Sequence, residues 1–327
     1  MYYAVNKVII VSAEEAEAQA EAQAEEQDLE SKMTETVNEY SAWKMGLKSS
    51  DKSGVITILC DADYSEFDIS NRPDLLLLTL TFPNATAEYF KNNPPAGDFE
   101  NVSELYIKYT EKGAVIEMSL KDMLYPDITY SQGTISISWR EYAEDNVIIV
   151  DPGYGGIHTG AMAGNISEKD INLKIARKVE TLSKGKPYNV YLTRSGDDTL
   201  STEERLELIN LLSGDYYVGI SLNADVEDVK AFGMSALYNG EYYRSGFENV
   251  DFADLVLRES AGATLNRANG LIRATENDVI LMALEIPGTC LKAGTITNAT
   301  EAELLSEDEY IEKIAKGIIN ALDSVVE

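Results

Sequence analysis

The chain has one histidine, His158, and two cysteines, Cys60 and Cys290, among 327 residues. So little imidazole leaves almost no material for a nitrogen-based metal site or a Ser-His-Asp relay. Two cysteines set this far apart do not make a disulfide framework, and both are expected as buried small apolar residues. Basic residues are scarce as well: 27 Lys and Arg against 56 Asp and Glu give a formal charge of −29. Such a surface repels phosphate backbones and anionic headgroups, which excludes nucleic acid as a partner. No apolar run approaches the length needed to cross a bilayer, and Val8-Ile9-Ile10-Val11 is too short for a signal-peptide core, so direct membrane insertion is not expected.

What is present is ordinary globular material, 44% hydrophobic and 25% charged, long enough for two domains. Residues 1–40 contain an acidic Ala/Glu/Gln stretch whose like charges oppose one another at helical spacing. A partly helical, solvated spacer is expected there. From Gly54 the apolar period becomes two: 55–60, 75–82, 105–109, 115–120 and 134–139 read as strands, with turn signals at Asn71-Arg72-Pro73-Asp74, Asn93-Pro94-Pro95, Lys112-Gly113 and Gln132-Gly133. These imply a small all-β sandwich over residues 41–142. Trp139, Tyr106, Tyr109 and Tyr130 are the right residue types to stack on sugar rings, but aromatic residues at strand spacing are chiefly core.

The polar segment Glu141–Asn146 leads into a different pattern. Val147–Val150 reads as a buried strand, Asp151-Pro152-Gly153-Tyr154-Gly155-Gly156 as a glycine loop, and Ser167-Glu168-Lys169-Asp170 as the start of a helix with apolar positions at Ile171, Ile175, Ala176 and Val179. Helical patterns follow at 202–212, 252–265 and 307–325, and strand patterns at 189–192, 216–221, 235–237 and 279–283. This alternation predicts an α/β domain over 147–327, a largely parallel sheet flanked by helices.

The stretch Val147–Val179 resembles the zinc-dependent N-acetylmuramoyl-L-alanine amidases, which cut the bond between muramic acid and the stem peptide of bacterial peptidoglycan. The likeness continues through Asn189–Arg194, Glu204-Arg205, Ser221-Leu222-Asn223-Ala224, and Thr297-Asn298 with Glu301 and Leu304-Leu305. The strand pattern before it, with Asn71-Arg72-Pro73-Asp74, resembles the AMIN-type domain that precedes such enzymes. In the family the zinc ligands are two histidines and a glutamate, and a second glutamate moves protons. The resemblance places the first histidine at Tyr154, the glutamate ligand at Glu168, the second histidine at Asn223 and the catalytic glutamate at Lys292. A phenol with a reference pKa near ~10 and a neutral amide are poor zinc ligands, and a lysine cannot be the same base. Zinc is therefore expected to be lost and no cofactor is expected.

The resemblance implies a catalytically inactive, amidase-like protein of the bacterial cell envelope. It would be extracytoplasmic or cell-wall associated, with its export signal outside this chain, and would bind a peptidoglycan fragment or a cell-wall enzyme. Two alternatives stay open. One is a working amidase whose metal site is rebuilt from His158, Glu168 and Asp225, or whose base is Glu285. The other is an architectural envelope protein with a closed cleft. Arg194 and Arg205 read as structural ion pairs at element ends. Loss of zinc also implies a counter-ion for Glu168, and the expectation is a Lys292–Glu168 pair within about ~4 Å.

Overall fold

The computed structural model describes residues 42–60, 66–144, 146–244 and 247–326, with no account of the side chains of 243–247. The acidic spacer expected over 1–40 lies outside the described residues.

Among the described residues the first unit carries nine strands and one short α-helix: β1 (Trp43–Lys44), β2 (Ile56–Leu59), β3 (Asp68–Arg72), β4 (Leu77–Phe82), α1 (Ala87–Asn92), β5 (Ala96–Gly97), β6 (Val102–Thr110), β7 (Gly113–Leu120), β8 (Leu124–Ser131) and β9 (Thr134–Glu141). They form two antiparallel sheets, ordered β1-β6-β7-β4-β3 and β5-β2-β9-β8. Alternate residues of both sheets turn inward, as strand geometry requires. Leu78, Leu80, Leu105, Ile107, Ile116 and Met118 from one sheet share a core with Ile56, Ile58, Ile135 and Ile137 from the other. Trp139 packs against this core, Tyr109 and Tyr130 are exposed, and Tyr106 lies beneath the ammonium groups of Lys44 and Lys108. The β8 strand and the β3 strand were not expected, because Pro126 and polar residues mask the one and Asn71 with Pro73 reads as a turn in the other.

The second unit comprises β10 (Val147–Pro152), β11 (Met162–Ala163), β12 (Ile166–Ser167), α2 (Glu168–Leu182), β13 (Asn189–Leu192), α3 (Thr202–Leu211), β14 (Tyr216–Asn223), β15 (Met234–Tyr238), β16 (Tyr243–Arg244), β17 (Phe247–Glu248), α4 (Asn249–Thr264), β18 (Ala268–Arg273), α5 (Val279–Ala283), β19 (Gly288–Thr295), α6 (Ala299–Ser306) and α7 (Asp308–Asp323). Its six-stranded sheet has the order β13-β10-β14-β19-β15-β18, and every neighbouring pair is parallel except β15–β19. The α2, α4 and α7 helices cover one face, with Ile171, Ile175, Val256 and Ile318 packed on Val150, Val218, Ile220 and Leu291. The other face buries Ile149, Tyr191, Tyr217 and Leu237 under Ile209, Leu281 and Leu284.

One strand is displaced from its expected place. Residues 279–283 read as a strand but form the α5 helix, and the sheet position is taken by β19 instead. A five-residue apolar run has no periodicity to separate the two states, and Gly288, Lys292 and Gly294 weaken the strand pattern that is real.

The units are joined tightly. The β9 strand runs to Glu141, and the Ala143 amide donates to the Tyr191 hydroxyl at 2.8 Å. Tyr125 and Tyr142 pack on Tyr191, and the Tyr125 hydroxyl donates to Glu180. Ser70 donates to Asp198 at 2.7 Å, the Asn71 amide to Ser195 at 2.8 Å, and Arg72 bonds Glu204 at 3.1 Å. Cys60 and Cys290 lie beside different cores and are not joined.

Ile116 is fully buried between the two sheets of the first unit. Ile116→Ala should cost about 2–5 kcal/mol by urea unfolding, and a loss under about 1 kcal/mol would mean that the two sheets do not share a close-packed core.

Candidate functional site at the carboxyl end of the sheet

The β10 strand ends in a buried carboxylate. Asp151 pairs with Arg205 and accepts from the hydroxyls of Thr193 and Tyr217. Both charges of the pair are almost wholly out of water, so their mutual attraction and the added hydrogen bonds offset a desolvation cost of several kcal/mol per ion. Burial, then the negative charge of Asp151, pushes the Tyr217 hydroxyl well above its ordinary range. That group therefore stays a donor.

The glycine loop follows. Gly155 has φ +138° and Gly156 φ +55°, and a Cβ on either would fall 2.2 Å from the Asp198 carbonyl oxygen or 1.9 Å from the Thr199 hydroxyl. Only glycine fits this close approach. Arg205 donates to the carbonyls of Pro152 and Tyr154, at 3.1 and 2.6 Å. Arg194, fully buried, donates to the carbonyls of Pro152, Gly153, Gly196 and Lys169 at 2.9–3.1 Å. Burial and the neighbouring Arg205 bring its pKa down to about 10. Arg205 is thus an ion-pair partner as expected, whereas Arg194 is a clamp on backbone oxygens. Lys169 and the Gly156 amide both bind Asp197 at 2.8 Å, closing the loop from its other side.

Tyr154 stands on this loop with φ +61°, a left-handed conformation uncommon for a ring-bearing residue, and is 45% exposed. Burial and the charge of Glu168 raise its pKa, which keeps the phenol neutral. Tyr154 and Glu168 flank Gly160 together: a Cβ there would lie 2.7 Å from the Tyr154 ring and 2.8 Å from a Glu168 oxygen. Glu168 is the first residue of α2, behind the Ser167 cap, and is 4% exposed. One oxygen accepts from the Leu222 amide at 2.7 Å and the other from the Ala161 amide at 3.0 Å. Asn223 ends β14 beside them, its amide donating to the Gly233 carbonyl at 3.4 Å.

The expected Lys292–Glu168 pair is not formed, and the reason is strand parity. Lys292 shares its face of β19 with Cys290, towards Tyr217 and Ser221, whereas Leu291 and Ala293 face the layer that contains α2. Lys292 forms no ion pair with Glu168, whose carboxylate is satisfied by the two amides. The other candidates are dispersed. His158 is exposed in the loop, where its backbone pairs with Gly155; Asp225 caps the turn at Glu227 and Asp228; Glu285 is exposed. Among the described residues no group of three His, Cys, Asp or Glu side chains is placed to hold a metal ion. A phenol kept neutral, an amide and a carboxylate already bonded to two N–H groups do not fit zinc, which takes imidazole, thiolate and carboxylate donors.

Two residues of the site carried no sequence signal of their own. Asp151 reads as part of a turn, and Cys290 lies in the strand that the apolar pattern misplaced.

Arg205→Met should destabilise the chain by about 3–5 kcal/mol, because it leaves Asp151 buried without a counter-charge. Urea unfolding measures this, and a loss below about 1 kcal/mol would show the pair to be dispensable.

The sequence model for N-acetylmuramoyl-L-alanine amidase matches residues 148–324. The germination-specific N-acetylmuramoyl-L-alanine amidase of Bacillus subtilis (strain 168) is 27% identical over 205 residues, covering 57% of this chain and 83% of that protein. The uncharacterized protein YqiI of the same organism is 29% identical over 186 residues, 56% of this chain and 86% of its own length. The crystal structure of the N-acetylmuramoyl-L-alanine amidase from Clostridium difficile 630 is similar with a TM-score of 0.52 at 27% identity, over 56% of this chain and 97% of that one. With the sheet, the glycine loop and the sequence match all falling on residues 148–324, this chain belongs to the N-acetylmuramoyl-L-alanine amidase family.

Proposed function

We propose that this chain is a catalytically inactive amidase-like protein of the bacterial cell envelope, which binds peptidoglycan or a cell-wall enzyme and holds no zinc. The observation that carries this reading is the state of Glu168, the one family ligand position that keeps its residue. Both its oxygens take backbone amides, and the two positions beside it offer a neutral phenol and an amide. Lys292, where the family resemblance places the catalytic glutamate, is a cation that cannot take a proton from water near neutral pH. Fold and chemistry separate readily, so the amidase scaffold remains as a binding cleft. In this reading the first unit is an AMIN-like sandwich that directs the chain to the envelope. The relatives' activity supports an extracytoplasmic, cell-wall location.

A second reading, a working amidase with a rebuilt metal site, is favoured by the relatives themselves, which are named as N-acetylmuramoyl-L-alanine amidases. Metal analysis of protein purified without chelator separates the two. The expected result is zinc far below one per chain and no cleavage of muropeptides; stoichiometric zinc with cleavage would establish the enzyme.

Repair should need several changes together, since ligands and base act as a unit. Tyr154→His with Asn223→His is expected to bring back zinc binding, and Lys292→Glu must be added before muropeptides are cut. An active amidase from Asn223→His alone would refute the assignment of the other two positions.

A further inference from the structure

The space into which Lys292 projects has a character of its own. A cavity of about 240 Å³ lies between β14, β19 and the start of α5, lined by Tyr217, Ser221, Asn277, Asp278, Cys290 and Lys292 among others. Lys292 is half-buried there and makes no hydrogen bond or ion pair with any described residue. In a chain with twice as many acids as bases, a cation left unpaired in a cleft needs explaining.

Two acids line the same cavity, and neither forms an ion pair with Lys292. Asp151 is held by Arg205, Thr193 and Tyr217, and Asp278 accepts the amide and hydroxyl of Thr275. Burial raises the pKa of the Cys290 thiol, which shares a contact of 3.4 Å with the Ser221 hydroxyl, so it is not a thiolate counter-ion. Among the described residues no anion lies within ion-pair distance of Lys292, and an anionic ligand would supply one. Lys292, the one cation among the described residues that line the cavity, then faces a negatively charged group of a ligand, with the side chains of Ser221 and Asn277 available to its neutral polar atoms.

The reaction named by the family indicates which anion. Hydrolysis of the N-acetylmuramoyl-L-alanine bond breaks the acyl C–N bond. The hydroxyl of water goes to the acyl carbon and its hydrogen to the amine, and at neutral pH the muramoyl side is left as a carboxylate. Uncut substrate has a neutral amide at that atom. A lysine discriminates between the two by a full charge, and favours the cut form.

We propose that this cleft binds muramic acid whose lactyl carboxylate is free, so that the chain holds glycan already stripped of its peptide by an amide hydrolase. This rests on the reading that the cleft takes peptidoglycan. The chain would act after an active amidase and require its product.

The test uses the whole chain and two probes, N-acetylmuramic acid and its carboxamide, titrated at pH 7 and followed by NMR. The acid should bind at least tenfold more tightly than the amide. Lys292→Met should abolish that preference and Lys292→Glu reverse it, with unchanged circular dichroism and melting temperature, since Lys292 holds no other element in place. Equal affinity for acid and amide, or a preference that survives Lys292→Met, would overturn the proposal. So would acetate competing as well as N-acetylmuramic acid, which would reduce the site to a general anion pocket. Sedimentation with purified peptidoglycan separates this failure from that of the broader reading. Binding to sacculi without preference for stripped glycan removes only the role of Lys292, whereas no binding to sacculi and to neither probe removes both.

Discussion

The buried Asp151–Arg205 pair is the interaction on which the amidase-like unit depends. It ties the end of β10 to α3, while Thr193 and Tyr217 bring in the ends of β13 and β14 through the same carboxylate. Four elements meet at one charge. Arg205 and Arg194 then reach past it to the carbonyls of 152–154, so the loop that carries Tyr154 is held by cations from behind. A loop held this way keeps its shape whatever occupies the cleft.

Glu168 and Lys292 sit in different local environments at this end of the sheet. Glu168 belongs to the α2 face and is neutralised locally, by two amides and the positive end of its own helix. Lys292 opens onto the α5 cavity. The expected pair between them is not formed, because charge balance was argued without the hydrogen-bond donors that the backbone supplies. A buried carboxylate needs hydrogen-bond donors, but those donors need not be cationic.

The first unit is packed against the second through contacts that bear on this loop. Ser70 and Lys112 bond Asp198 and Asp197, the residues whose backbone and side chain hold Gly155 and Gly156 in place. The β1-β6-β7-β4-β3 sheet of the first unit therefore buttresses the back of the cleft. With Tyr125, Tyr142 and Tyr191 stacked at the junction, the units are coupled over an extended and partly aromatic surface.

Local chemistry by itself determined a good deal. The period-two strands of the first unit, the strand–loop–helix run from Val147 and the glycines of the loop are all legible in the residues, because each depends on near neighbours in the chain. The β19 strand was not legible. Its Gly288, Cys290, Lys292 and Gly294 lack strand character, and it exists because β14 and β15 offer it hydrogen bonds from both sides. Residues 279–283, with the better apolar run, find no such edge and wind into a helix whose Leu281 fills the core. The environment of Lys292 was likewise set only by the tertiary structure. Which face of the sheet a side chain takes follows from the register of strands far apart in sequence, and that register decides whether this cation neutralises Glu168 or waits in an open cleft for a ligand.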